Sequence, residues 1–445
     1  MDNNLKKKAV GAVANRWMTF CVLVFSGGIA FKLSSIKDVF YVPLQTVMGL
    51  SNTQIGAALS AYGVVQTIGL ILGIYICDMF SKKYMISFSL VGIGLCGIYL
   101  STFPSYYGFL ATFAVMAILG EVTYWPVLLK AVRLTGDESE QGRLFGLLEM
   151  GRGFVDVIIA FSALWVFDTM TKVSDAAGLR SGLLFYAGAT ILAGIFCFFM
   201  VPHDEKKVVL DKDGKKVSKA ITAFDGMLTA LKSLDVWAVA INGFTAYTIY
   251  CGLTYFIPFL NTIYFLPATL VGAYGIINQY GLKMIGGPVG GFVSDKVFKS
   301  SAKYMRFAFG LAAVAMVAFL MLPHEQMGKD GNYMLGMACT LGFGAIIFTM
   351  RAVFFAPMGE LKVPAEITGA AMSLACLIIY LPNAFMYVFY GNLLDRFPGM
   401  QGFKYVFSVM VGLAVVGVFV SSFLVSRINK SKAAEKALEL AQETK

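Results

Sequence analysis

Long uncharged runs follow one another along nearly the whole chain, and they constrain its fold more than any other feature. Leu70–Ile76, Ala111–Leu119, Ala189–Val201 and Val409–Val425 each sit inside a longer window without charge. An apolar stretch of about 18 or more residues reads as a membrane-spanning helix, because hydrocarbon leaves every unpaired backbone group unsatisfied. Twelve spans are predicted, at 16–36, 51–77, 84–103, 107–132, 142–167, 178–201, 237–262, 268–294, 304–322, 332–359, 365–392 and 401–426. Several exceed the roughly 20 residues needed to cross, so tilted, bent or protruding helices are expected. Composition excludes a soluble fold: 58% of residues are hydrophobic and 14% charged, against roughly 45–50% and 25% in soluble domains. The 46 glycines suit helices whose backbones approach closely in lipid.

Loop charge orients the spans. Lys6, Lys7 and Lys8 precede a first span too long for the apolar region of a cleavable leader, so the N-terminus is expected in the cytoplasm. Alternate connections then carry Lys82 and Lys83; Arg133 and Arg143; the central loop; Lys296, Lys299, Lys303 and Arg306; Lys362; and Arg427, Lys430 and Lys432. Opposite-side loops are charge-balanced: Lys37 with Asp38, Lys329 with Asp330, Asp395 with Arg396. An excess of Lys and Arg on one side predicts a multi-pass inner-membrane protein with both termini cytoplasmic. The net charge of +10 resides in these short loops and forms no nucleic-acid patch. Seven scattered cysteines form no C-x-x-C pair, so neither a disulfide nor a metal framework is read from them.

The one long polar interruption, 202–236, divides the chain into a six-helix bundle at 1–201 and a second at 237–426, followed by a cytoplasmic tail at 427–445. The halves repeat a junction. Gly73-Ile-Tyr-Ile-Cys-Asp78-Met-Phe-Ser-Lys82-Lys83 ends the second span, and Gly290-Gly-Phe-Val-Ser-Asp295-Lys296-Val-Phe-Lys299 ends the eighth. Each sets an aspartate before basic residues, so Asp78 with Lys82 and Asp295 with Lys296 are read as gating clamps between neighbouring helices.

These junctions resemble the loop signature of the major facilitator superfamily, and the resemblance covers the whole chain. It implies an all-α fold of twelve membrane helices in two pseudo-symmetric six-helix bundles, with a solute site between them. Gly49–Ser60, Trp125-Pro126 with Lys130, Gln141-Gly142, Val289–Lys299 and Glu360–Ala371 are similar to the organophosphate:phosphate antiporters, which carry glycerol phosphate or hexose phosphate. That family typically sets an arginine on the first helix of each half. Here those regions hold Ser35 and Lys37, and Tyr250, while Arg152 replaces a family histidine and Lys130 keeps a family basic residue. The departures leave an anion, rather than phosphate specifically, as the expected cargo.

Charges inside the membrane are costly and each is a functional hypothesis. Arg152 lies about ten residues into its span, about 15 Å deep at 1.5 Å per residue, near the midplane. Glu149 and Asp156, at i−3 and i+4, share its helix face and could neutralise it. Lys283 and Arg351 have no acidic residue within reach on their own helices, and Glu121 is the competing partner. Lys32 and Lys130, nearer the membrane faces, can snorkel to the interface. The mid-depth basic residues outnumber the acidic ones, which favours an anionic solute. Tyr62, Tyr124, Tyr250 and Asn278 could complete a pocket, together with Gln66, Tyr247, Gln279 and Asn383. Glu121, Glu149 and Asp156 are placed to carry a proton or ion-pair exchange, and His203 and His324 fall outside the spans. The sequence contains no P-loop, no Gly-x-Ser-x-Gly and no His–Cys cluster, so neither an enzyme, a cofactor nor a metal is expected. The expectation is a monomeric carrier of a small phosphorylated, sulfonated or carboxylated anion. Proton-driven movement of a neutral or zwitterionic solute, and a membrane sensor that moves nothing, are the alternatives.

Overall fold

The computed structural model describes residues 3–79, 81–136, 140–202, 230–361 and 365–443, with the side chains of 3–15, 70–79, 142, 365–369, 432 and 434–443 excepted. Most of the predicted linker, 203–229, and the side chain of Asp78 therefore lie outside the described residues. Within them every regular element is helical. The first eight helices are α1 (Asn3–Ile29), α2 (Lys37–Met48), α3 (Asn52–Met79), α4 (Lys82–Leu100), α5 (Tyr106–Ala117), α6 (Trp125–Arg133), α7 (Gln141–Thr171) and α8 (Asp175–Met200). Then come α9 (Leu234–Gly252), α10 (Phe256–Tyr264), α11 (Ala268–Ile276), α12 (Leu282–Phe292), α13 (Ser301–Leu320) and α14 (His324–Lys329). The chain closes with α15 (Tyr333–Val353), α16 (Pro357–Glu360), α17 (Ala365–Tyr380), α18 (Met386–Arg396) and α19 (Met400–Glu443).

Among the described residues nine helices are long and apolar enough to cross a membrane. The three other predicted spans each have a local reason for falling short. The first, 16–36, is not one helix: α1 stops at Ile29 and turns lead into α2. There Phe40 leaves helical angles (φ −115°, ψ 26°) and Pro43 lacks an N–H to donate. The second is the continuous helix α3, part of whose side chains are not described. The eighth is interrupted by π-type turns at Ile277–Gly281 and Val293–Phe298 and by Pro288 inside α12.

The chain forms two compact units, Met1–Lys207 with Leu266–Met284, and Val208–Phe265 with Ile285–Lys445. The segment Leu266–Met284, assigned by the sequence reading to the second half, is built into the first unit. Gly272 permits it: a Cβ there would stand 2.8 Å from Leu164 and 2.9 Å from the Val39 carbonyl. Thr269 Oγ1 also donates to Asp168 at 2.8 Å. The first unit's core joins Leu23, Ile29, Tyr124, Leu128, Leu148 and Cys197, all buried. Gly28 lets α1 meet α7, since a Cβ would lie 2.6 Å from that of Val155.

In the second unit Phe256, Phe259, Phe319, Phe403 and Phe407 interlock by edge, tilted and stacked ring contacts at 5.2–6.4 Å. A buried polar tie crosses the same unit: Ser421 donates to Asn242 Oδ1 at 2.7 Å, and Asn242 Nδ2 reaches Met305 at 3.1 Å. Such side-chain bonds are worth about 0.6–2 kcal/mol between helices in lipid.

Candidate functional site

The polar residues inside the first unit gather where the helices are least regular. A π-type turn at Ile118–Tyr124 carries Glu121, and that at Ile277–Gly281 carries Asn278, Gln279 and Tyr280. An extra residue in a helical turn re-aims side chains, and such turns recur at functional sites.

Arg152, on α7, is 9% exposed. Its Nη1 donates to Glu149 at 2.7 Å, its Nε donates to the Gly27 carbonyl at 3.1 Å, and its guanidinium lies 4.4 Å from the Trp125 ring centre. The glycine matters here, because a Cβ on Gly27 would press on Arg152 Cδ at 3.0 Å. Of the two carboxylates predicted to neutralise Arg152, Glu149 does so. Asp156 instead serves two lysines, with Oδ1 2.6 Å from Lys32 Nζ and Oδ2 3.9 Å from Lys283 Nζ. Lys32 does not snorkel. It is 1% exposed, with its ammonium 3.3 Å from the Tyr280 ring centre.

Lys37 and Asp38, read from the sequence as a surface loop, are buried at the start of α2 and pair with each other. Tyr280 donates to Asp38 at 3.3 Å. Glu121, expected to compete for Lys283 and Arg351, accepts from Tyr62 at 3.0 Å. In the first unit Lys32, Lys37, Arg152 and Lys283 thus each lie beside one of three carboxylates, Asp38, Glu149 and Asp156, while Glu121 is held by Tyr62. Tyr124 shares a hydrogen with Ser26 at 2.8 Å. Asn278 is fully buried, and neither amide atom finds a hydrogen-bond partner among the described residues. Lys130 is half-buried on α6.

In the second unit Arg351, near the end of α15, rests on tyrosine. Its guanidinium carbon is 4.2 Å from the Tyr250 ring centre and 5.4 Å from that of Tyr247. Tyr247 is held by the Tyr380 ring edge at 4.8 Å and by Asn383 Nδ2, which donates to its hydroxyl at 3.1 Å. Phe348 backs Tyr250 at 5.5 Å. Asn383 lies on a tight 3₁₀ turn, Leu381–Ala384, that breaks the helix between α17 and α18. Among the described residues no carboxylate pairs with Arg351. Cation–π contact contributes about 0.5–2 kcal/mol, whereas an uncompensated buried charge costs several. The tyrosines position the guanidinium without neutralising it.

Asp295 and Lys296 are exposed on the π-type turn after α12. Beside them Glu360 accepts from Ser300 Oγ at 2.6 Å and from the Ser301 N–H, so a carboxylate holds the start of α13. Lys82 is buried at the start of α4. Sequence reasoning missed Tyr280, Lys37 and Asp38 as site residues. The available signal was an adjacent charge pair, Lys37-Asp38, in an otherwise apolar window. Among the described residues no group of three His, Cys, Asp or Glu side chains could hold a metal ion.

Comparisons with known proteins agree with this architecture. The sequence profile of the Major Facilitator Superfamily matches residues 17–375. The inner membrane protein YihN of Escherichia coli K12 is 47% identical over 420 residues, covering 94% of this chain and 97% of its own. YqcE, another inner membrane protein of that strain, is 27% identical over 429 residues, covering 96% and 98%. A bacterial homologue of the human lysosomal transporter Spinster, solved inward-facing and unoccupied, superimposes with a TM-score of 0.72 at 13% identity, over 95% of this chain and 98% of that one. With a profile match over most of its length, a close inner-membrane relative and an all-helical membrane fold among the described residues, the chain belongs to the Major Facilitator Superfamily and is a multi-pass inner-membrane transporter.

Proposed function

We propose that the chain is a secondary transporter of a small organic anion, phosphorylated, sulfonated or carboxylated, moved by alternating access with Arg351 as its principal anion-binding group. The carrying observation is charge balance. In the first unit Lys32, Lys37, Arg152 and Lys283 each lie beside a carboxylate, while among the described residues Arg351 has aromatic faces and an Asn383-anchored tyrosine around it and no carboxylate. A guanidinium is a planar fork that takes an oxyanion in two parallel hydrogen bonds. Tyr250 orients that fork. Within the first unit, taken by itself, Asn278, whose amide has no partner among the described residues, and Arg152, Lys283, Lys130, Tyr124 and Tyr62 are the candidate substrate-binding residues. The similarity to organophosphate:phosphate antiporters makes anion exchange the favoured mode. Both termini face the cytoplasm, and the Asp78–Lys82 and Asp295–Lys296 junctions act as gates.

A second reading, proton-coupled movement of a neutral or zwitterionic solute, draws on Asp156, which two lysines share. Such a carboxylate can exchange partners as its charge changes. Counterflow in proteoliposomes over a panel of organic anions separates the readings. Anion exchange without a transport-coupled pH change, reduced at least about tenfold by Arg351→Gln, is expected. Exchange of neutral solutes only, or an unchanged rate in Arg351→Gln, would overturn the proposal.

A further inference from the structure

We infer that the second unit carries a site for the headgroup of an anionic diacyl phospholipid, in a recess between α13 and α19. The recess holds about 450 Å³ and is lined by Arg306 on one helix and by Ser422, Val425, Ser426, Asn429 and Lys430 on the other. The α19 residues recur at three- and four-residue intervals, so they form one stripe along the helix rather than a scatter of surface groups. From Ser422 to Lys430 that stripe is about 12 Å long at 1.5 Å per residue, enough for a phosphate and its glycerol.

Charge distinguishes this recess from an ordinary solvated helix end. Arg427, on the same stretch of α19, is already engaged by Asp235 at 2.7 Å. Arg306 and Lys430 make no ion pair among the described residues, and no carboxylate lines the recess. Two cations therefore face a cavity whose other polar groups, Ser422, Ser426 and Asn429, can donate hydrogen bonds. That donor set fits a phosphodiester. It leaves a cationic ligand without complementary groups.

The surroundings select a lipid over a soluble phosphate. Phe307, Leu311, Val314 and Val317 of α13 are exposed, as are Phe419 and Phe423 of α19. Exposed apolar side chains at this density mark a surface that faces acyl chains. The recess lies at the end of that apolar surface, where a basic pocket between membrane helices recognises a lipid headgroup. Arg306 directly precedes exposed Phe307, so a headgroup held by the guanidinium brings its own chains onto an apolar face.

The test uses the full-length protein, purified in a non-ionic detergent and studied by native mass spectrometry with dioleoyl phosphatidylglycerol or dioleoyl phosphatidylcholine. The chains are identical, so only the headgroup differs. At least tenfold preferential retention of phosphatidylglycerol is expected, falling to within about twofold in Arg306→Gln/Lys430→Gln. The Arg306→Lys/Lys430→Arg variant, which keeps both charges, should retain most of the preference and thereby exclude misfolding as the cause. Lys303→Gln, an exposed charge outside the recess, should leave it unchanged. Equal retention of both lipids, an equal loss in Lys303→Gln, or displacement of the lipid by equimolar inorganic phosphate would each overturn the inference.

Discussion

Lys32 is 1% exposed and lies 2.6 Å from Asp156, whereas Arg351 lies on Tyr250 with no carboxylate beside it among the described residues. The two cations face one electrostatic problem with different partners. For Lys32 the partner is internal, so removing it should be felt as lost stability before lost specificity. Breaking a buried pair leaves one charge uncompensated and costs about 3–5 kcal/mol, while neutralising both members is much cheaper. Lys32→Met should therefore lower the thermal midpoint of the detergent-purified protein markedly, and Lys32→Met/Asp156→Asn should recover more than half of the loss. A double variant no more stable than the single one would mean that the pair does not act as a unit. Periodicity placed Lys32, Arg152 and Asp156 inside spans, and that much was legible. Which acid meets which base was not. On one helix Glu149 and Asp156 are equivalent partners for Arg152, and only the position of Lys32 on another helix assigns Asp156 elsewhere.

At the scale of elements, the interruptions are more informative than the helices. The turn between Ile29 and Lys37 and the π-type turn at Ile277–Gly281 bring Lys32, Asp38 and Tyr280 together. Hydropathy sees both regions as uninterrupted spans, because a wider turn changes no residue's polarity. The short helix α14 shows the same blindness. His324 reads as a loop residue, yet it is 2% exposed. Its Nδ1 accepts from the Tyr264 hydroxyl at 2.7 Å and its Nε2 donates to the Phe319 carbonyl at 2.7 Å. Burial holds this imidazole below its ordinary range. The unfolded chain, with an ordinary value of about 6.5, then binds more protons than the folded one below that pH. The His324 contribution is fully present above about pH 6.5 and is lost as the pH falls from there toward the folded value. Thermal midpoints measured from pH 7.5 to 5 should decline for the wild type and decline less for His324→Gln. Parallel curves would assign the decline to other groups.

For the molecule as a whole, the all-α membrane character could be read from the chain, because it follows from the length and polarity of each segment alone. The membership of Leu266–Met284 in the first unit could not, since it rests on contacts such as Gly272 against Val39 and Leu164. Orientation belongs to this scale too, because it depends on the sum of loop charges rather than on one residue. Both termini are expected on the cytoplasmic side. A phosphatase fused after Lys445, active only outside the cytoplasm, should be silent, and the same reporter inserted after Asp330 should be active. The reverse pattern would invert the assignment.

The last helix, Met400–Glu443, is continuous over 44 residues. At 1.5 Å per residue it is about 66 Å long, roughly twice the thickness of the hydrocarbon core. About half of it is thus available as a handle in water. A protein of this size offers electron microscopy little to align on once detergent surrounds it. A soluble helical protein fused in frame and in helical phase near Glu443 would supply an external landmark without altering a loop. Because that helix belongs to the second unit, the landmark's tilt between particle classes would report that unit's movement during transport.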